Sequence, residues 1–168
     1  MAREIERKFL VHGEAWRTAA EDSFLLRQGY LTDHRSGRAS VRVRVAGDHG
    51  ELNIKSLELG VSRDEFSYRI PVEEAGAMLD GLCRGPRIEK RRHHIRHGGH
   101  LWEVDEFFGD NQGLVVAEIE LDDPEEAFER PDWLGPEVTH LERYFNVALV
   151  QRPFSQWSEA EREARDVD

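Results

Sequence analysis

Charged residues recur two positions apart at four places along this chain. Glu4, Glu6 and Lys8 alternate in EIERK, Arg42 and Arg44 in VRVR, Lys90 and Arg92 in EKRR, and Glu118 and Glu120 in AEIE. Residues two apart on a strand point to the same face, about 7 Å from each other. Clustered carboxylates can hold a divalent cation through hard oxygen donors. Arginine offers a planar fork to phosphate oxygens, and lysine offers a compact point charge. Acids that hold a metal, with bases that hold an anion bound to that metal, match a polyphosphate.

Eight segments read as strands and would position these charges: residues 3–11, 23–31, 39–47, 50–57, 62–70, 87–95, 100–108 and 114–122. Each alternates an apolar series with a charged one, as Val41, Val43 and Val45 do against Arg42 and Arg44. DHRSGR, AGDHG, RHGGH and GDNQG supply turn residues. Helices are expected at 71–82, 124–130 and 139–150, with a charged tail or short helix at 154–168. Residues 1–153 read as one domain.

Two architectures fit the alternation. In a two-layer fold the apolar faces pack inward and the charges meet water. In a closed sheet the charges line a polar interior, and helices cover the apolar outside. Two like charges 4 Å apart repel by about 4 kcal/mol at an effective dielectric near 20, so an enclosed acidic set needs cations.

Composition bounds the reading. The formal net charge of -11 disfavours broad binding to nucleic acid or anionic membranes. No run approaches the roughly 20 apolar residues of a membrane span, and no secretory signal is visible, so a cytoplasmic protein is expected. The single Cys83 excludes an internal disulfide and reads as a small buried residue after a helix. His93, His94, His97 and His100 cross a Gly-Gly turn and do not suit a tetrahedral zinc site; Trp102 and Trp133 read as packing anchors.

The ordered set EIERKFLV, VRVR, NIK, IEKRR, WEVDEF, VVAEIEL and EVTHLERYFN closely resembles the short bacterial CYTH domains of the triphosphate tunnel metalloenzymes, over roughly residues 3–150. The resemblance implies a mainly β (α+β) fold: a closed eight-stranded antiparallel β-barrel with a polar lumen and covering helices. It implies a homodimer that hydrolyses inorganic tripolyphosphate to pyrophosphate and orthophosphate with Mg²⁺ or Mn²⁺. Thiamine triphosphatase, nucleoside or RNA triphosphatase, adenylate cyclase and a non-catalytic triphosphate-binding module are the alternatives. Carried over by position, Glu4, Glu6, Asp105, Glu118 and Glu120 resemble metal-side acids. Arg42, Arg44, Lys55, Lys90 and Arg92 resemble phosphate-binding bases, with Glu65 beside them. Lys8 resembles a catalytic lysine that contacts phosphate or helps orient the attacking water, grouped with Glu4 and Glu6, and Arg91 should face away. Asp105 is assigned either to metal support or to pairing with a base. Ser67 departs from the family pattern, where a second Glu is common.

Overall fold

A computed structural model describes residues 2–32, 38–57 and 62–166. The strands are β1 (Ala2–Val11), β2 (Asp22–Tyr30), β3 (Ala39–Ala46), β4 (His49–Ser56), β5 (Ser62–Ile70), β6 (Arg84–His97), β7 (His100–Phe107), β8 (Val115–Glu120) and β9 (Leu134–Glu137). The helices are α1 (Trp16–Ala19), α2 (Val72–Gly81), α3 (Asn146–Leu149) and α4 (Glu159–Arg162). All pairings are antiparallel, in the order β5-β4-β3-β2-β6-β7-β8-β1-β9, with a further contact between β5 and β1.

The expected closed eight-stranded β-barrel is corrected by this topology. Among the described residues the sheet has nine strands, and β5 meets β1 over four residue pairs, from Ala2 to Ile5. The rest of that β1 edge passes to β9, through Phe9 with Glu137 and Val11 with Leu134. A closed barrel needs continuous pairing with matched stagger around its circumference. Here β1 divides one edge between two strands. The ninth strand escapes a sequence reading because LGPE contains Pro136, which cannot donate to a ladder and is tolerated at an edge. Gly135 is required there: a Cβ on it would lie 2.9 Å from the Leu10 carbonyl oxygen.

The helices also fall differently from expectation. α2 matches the expected 71–82 helix, starts after Pro71, and buries Ala75 and Leu79 against Val43 of β3. Residues 124–130 are not helical, and 139–150 hold a 3₁₀ turn (Glu142–Tyr144) and the short α3. The DHRSGR turn, apart from Arg38, lies outside the described residues. Cys83 is half-buried rather than buried.

The period-two alternation of β1 explains which face is which. Ile5 and Phe9 join Trp102, Val104, Ala117 and Ile119 in one apolar core. Trp102 lies edge-on to Phe9, Phe128 and Trp133 with ring centroids 5.7–5.9 Å apart, a favourable geometry beyond simple area burial. The opposite series of β1 carries Glu4, Glu6 and Lys8, then turns apolar at Leu10. Leu10 packs in a second core with Ile88, Phe107, Val116, Tyr144 and Leu149. One sheet face is therefore polar at one end and sealed by hydrophobic packing at the other.

Trp102 is fully buried, so Trp102→Ala opens a cavity that costs about 3–5 kcal/mol. Urea denaturation followed by circular dichroism should show the midpoint falling accordingly with the slope unchanged.

Candidate active site

Cross-strand neighbours on an antiparallel sheet share a face. The register sets Lys8 opposite Glu118, Glu6 opposite Glu120, Arg42 opposite Asn53, and Lys55 opposite Glu65. Glu103 lies opposite Glu118, and Arg92 opposite Asp105. These side chains line one cavity of about 490 Å³, except Asp105, which is sealed behind its wall. The cavity gathers Glu4, Glu6, Lys8, Arg42, Arg44, Lys55, Glu65, Arg92, Glu118 and Glu120, ten of the twelve residues expected from sequence. Those ten come from six different strands, so the site forms only when the sheet forms.

Two ion-pair groups organise its walls. In the first, Lys55 Nζ lies 2.7 Å from both carboxylate oxygens of Glu4 and 3.3 Å from Glu65. Asn53 Nδ2 donates to Glu65. Burial alone raises the pKa of Glu65, but its hydrogen bond with Glu4, the Lys55 charge and the Asn53 amide outweigh it and hold the group below its ordinary value. In the second group, Lys8 Nζ is 2.7 Å from Glu118 and 3.9 Å from Glu6. Arg92 donates to Asp105 through Nε (2.8 Å) and Nη2 (2.7 Å), to Glu118 (3.0 Å), and to Glu103. Lys90 completes this group by donating to Asp105.

Lys90 and Asp105 are the two expected residues that the cavity does not receive. They are 1% and 0% exposed. Asp105 serves two cations at once. Burial drives the Lys90 pKa down to about 8, with Arg92 repelling its proton and Asp105 only partly offsetting both. Burial also opposes the Arg92 and Glu118 charges, yet their ion pairs prevail: Arg92 is held well above its ordinary pKa and Glu118 well below. The alternation does place Arg91 outside, where it bonds Ser23. Ser67 is exposed.

Glu103, Asn53 and Phe145 line the cavity without having been singled out from sequence. Glu103 was legible by parity, standing two residues before Asp105 on one strand. Phe145 was not, because its segment reads as an outer helix. The four histidines of the β6–β7 hairpin go to separate acids: His93 to Glu106, His94 to Asp22, His97 to Glu129 and His100 to Glu126.

The family model described as the CYTH domain matches residues 2–152. The chain belongs to the CYTH domain family. This CYTH chain is 48% identical over 159 residues to an inorganic triphosphatase of Acetivibrio thermocellus, covering 95% of this chain and all of that one. It is 38% identical over 150 residues to an inorganic triphosphatase of Nitrosomonas europaea, covering 88% and 96% of the two chains. A crystal structure of an inorganic triphosphatase superposes with a TM-score of 0.64 at 34% identity, covering 88% of this chain and 97% of that one. Among the described residues no helix is long and apolar enough to cross a membrane.

The donor chemistry of the CYTH cavity fits a hard divalent cation. Glu120 is held above its ordinary pKa by burial and then by repulsion from Glu4, Glu65, Glu103 and Glu6, an excess of negative charge that a cation relieves. Among the described residues no group of three or more Asp, Glu, His or Cys is drawn tightly enough to coordinate an ion. Lys55 and Lys8 occupy Glu4 and Glu118 instead.

Removing the Asp105 charge leaves Lys90 and Arg92 buried without it, so Asp105→Asn should cost about 3–5 kcal/mol in a urea titration. The acid limb carries a sign. Asp105 and Glu118 both sit below their ordinary values of 3.8 and 4.5 because cations outweigh burial. A carboxylate with a depressed folded pKa stabilises the fold above its unfolded pKa and loses that contribution as pH falls through the folded one. Urea midpoints should therefore hold down to about pH 4.5 and decline below it.

Proposed function

We propose that this cavity hydrolyses inorganic triphosphate to pyrophosphate and orthophosphate with Mg²⁺ or Mn²⁺. The observation that carries the reading is the convergence of Arg42, Arg44, Lys55 and Arg92 on one cavity with Glu4, Glu6, Glu118 and Glu120. The high identity to inorganic triphosphatases supports the same chemistry. A site built for phosphate binding alone asks mainly for bases; this one sets carboxylates against them.

Glu4, Glu6, Glu118 and Glu120 would hold the metal, which supplies charge neutralisation at phosphate oxygens and a more acidic water. Arg42, Arg44 and Arg92 bind and align the phosphate chain. Lys55 exchanges its bonds with Glu4 and Glu65 for phosphate oxygens. Its position between them explains why Glu65 belongs to the substrate side: Glu65 holds Lys55 in place before substrate arrives. Lys8, set between Glu118 and Glu6, orients the attacking water toward the end phosphorus. The water oxygen forms a bond to that phosphorus as its proton passes to solvent, and the bridging P–O bond breaks with its electrons leaving on pyrophosphate. Catalysis of this kind rests on positioning and on stabilising developing charge. Lys90 and Asp105 act from behind the wall. Asp105 sets the guanidinium of Arg92, and Lys90 balances the remaining charge.

Incubating the protein with inorganic triphosphate and Mg²⁺ should release orthophosphate and pyrophosphate in equal amounts, and excess chelator should stop it. Release that continues unchanged in chelator contradicts the metal assignment. Arg42→Ala removes a charged hydrogen bond worth about 1.5–3 kcal/mol, so kcat/KM should fall about 10- to 100-fold. Glu120→Gln should lower kcat more than it raises KM, because it strips the metal side of the cavity rather than the phosphate side.

A further inference from the structure

Five buried side-chain atoms without a hydrogen-bond partner fall on one patch of the sheet: both amide atoms of Gln28, Nε of Arg42, Nε of Arg44, and Oδ1 of Asn53. Gln28 pairs with Arg44 across β2 and β3, and Arg42 pairs with Asn53 across β3 and β4, so all four face the same way on adjoining strands. Gln28 is 0% exposed and Asn53 is 1% exposed. The orientation of the Asn53 amide is fixed, because its Nδ2 donates to the Glu65 carboxylate and an oxygen there would face another oxygen. Its Oδ1 must therefore turn the other way.

The chemistry of these atoms selects an occupant. Three are donors (Gln28 Nε2 and the two arginine Nε–H groups) and two are acceptors (Gln28 Oε1 and Asn53 Oδ1). A bare anion satisfies only the donors, and a metal ion only the acceptors. Water serves both, and a buried water makes about 2–4 such bonds. Glu51 already grips the other side of both arginines, with its Oε1 2.7 Å from Arg44 Nη2 and 3.7 Å from Arg42 Nη2.

Resting on the proposed function, we propose that a structural water sits in this niche and that Gln28 is a positioning residue. Through that water Gln28 holds the Nε edges of Arg42 and Arg44, while Glu51 holds their Nη2 groups. The two guanidinium planes are thereby set before the phosphate chain arrives. Gln28 itself does not line the cavity, and its effect on substrate passes through the arginines.

Gln28→Met tests this, because methionine matches the shape and carries neither amide atom. The melting temperature should change little, since the amide and its bond to the water are removed together while the water keeps the arginine Nε groups and Asn53 Oδ1. The KM for inorganic triphosphate should rise about tenfold with kcat unchanged, as expected when a charged hydrogen-bond arrangement that orders binding is loosened. An unchanged KM in a stable Gln28→Met protein overturns the positioning role, because a purely structural amide would leave KM alone. A crystal structure of the wild type decides the niche independently, even if the variant does not fold. A water oxygen within hydrogen-bond distance of Gln28 and the arginine Nε atoms supports the assignment. An empty niche, or a phosphate oxygen in it, overturns it. Wild-type protein that releases no orthophosphate breaks the proposed function instead, and the effect of Gln28→Met is then read on triphosphate affinity by calorimetry.

Discussion

Enclosed charge must be compensated, and the polar face of this sheet is organised around that constraint. Lys8 lies against Glu118, Lys55 against Glu4, and Arg92 against Asp105 and Glu118. The Lys8–Glu118 and Lys55–Glu4 pairs join residues far apart in sequence, while Arg92 and Asp105 face each other across one hairpin. Leaving one partner of such a pair buried alone costs several kcal/mol, so the strands have one register in which the face is tolerable. The same register brings Arg42, Arg44, Lys55 and Arg92 together with Glu4, Glu6, Glu118 and Glu120 within one cavity. Fold specificity and site geometry thus have a common cause. Asp105 shows it most plainly: it touches no solvent, yet it fixes the arginine that faces the cavity.

The compensation is incomplete at Glu120. Seven acids (Glu4, Glu6, Glu65, Glu103, Glu118, Glu120 and Asp122) line the cavity, and repulsion from Glu4, Glu65, Glu103 and Glu6 falls on Glu120. Internal lysines act as placeholders at Glu4 and Glu118. On the proposed function, substrate and metal binding would be an exchange of partners rather than the filling of a preformed cage: phosphate oxygens would take the lysines, and the released carboxylates would hold the cation. The apolar packing of Leu10, Phe107, Val116 and Tyr144 closes one end and gives the polar groups a rigid base.

Much of this was legible in the sequence because period-two alternation is a local signal. Glu4, Glu6 and Lys8 sort from Ile5 and Phe9 by parity alone, and so do Arg42 and Arg44 from their valines. Strand existence follows, and eight of the nine strands are visible. What parity cannot give is depth along a strand. Lys90 and Arg92 share a face, yet two residues separate a sealed cation from one that meets the cavity, because only the second reaches Glu103 and Glu118 with its side chain. Nor can it give long-range closure. The expected barrel failed where β1 divides its edge between β5 and β9, and β9 itself hid behind Pro136. The segment 139–150 carries helical spacing, but its residues are spent on a 3₁₀ turn and a short helix that seal the apolar end and place Phe145 at the cavity.

The most direct test of one convergent cavity is a crystal structure with a non-hydrolysable triphosphate analogue and Mg²⁺. The phosphate chain should lie against Arg42, Arg44 and Arg92, with Lys55 turned away from Glu4 and onto a phosphate oxygen. An analogue bound outside this cavity, or bound within it while Lys55 keeps both bonds to Glu4, would contradict the account.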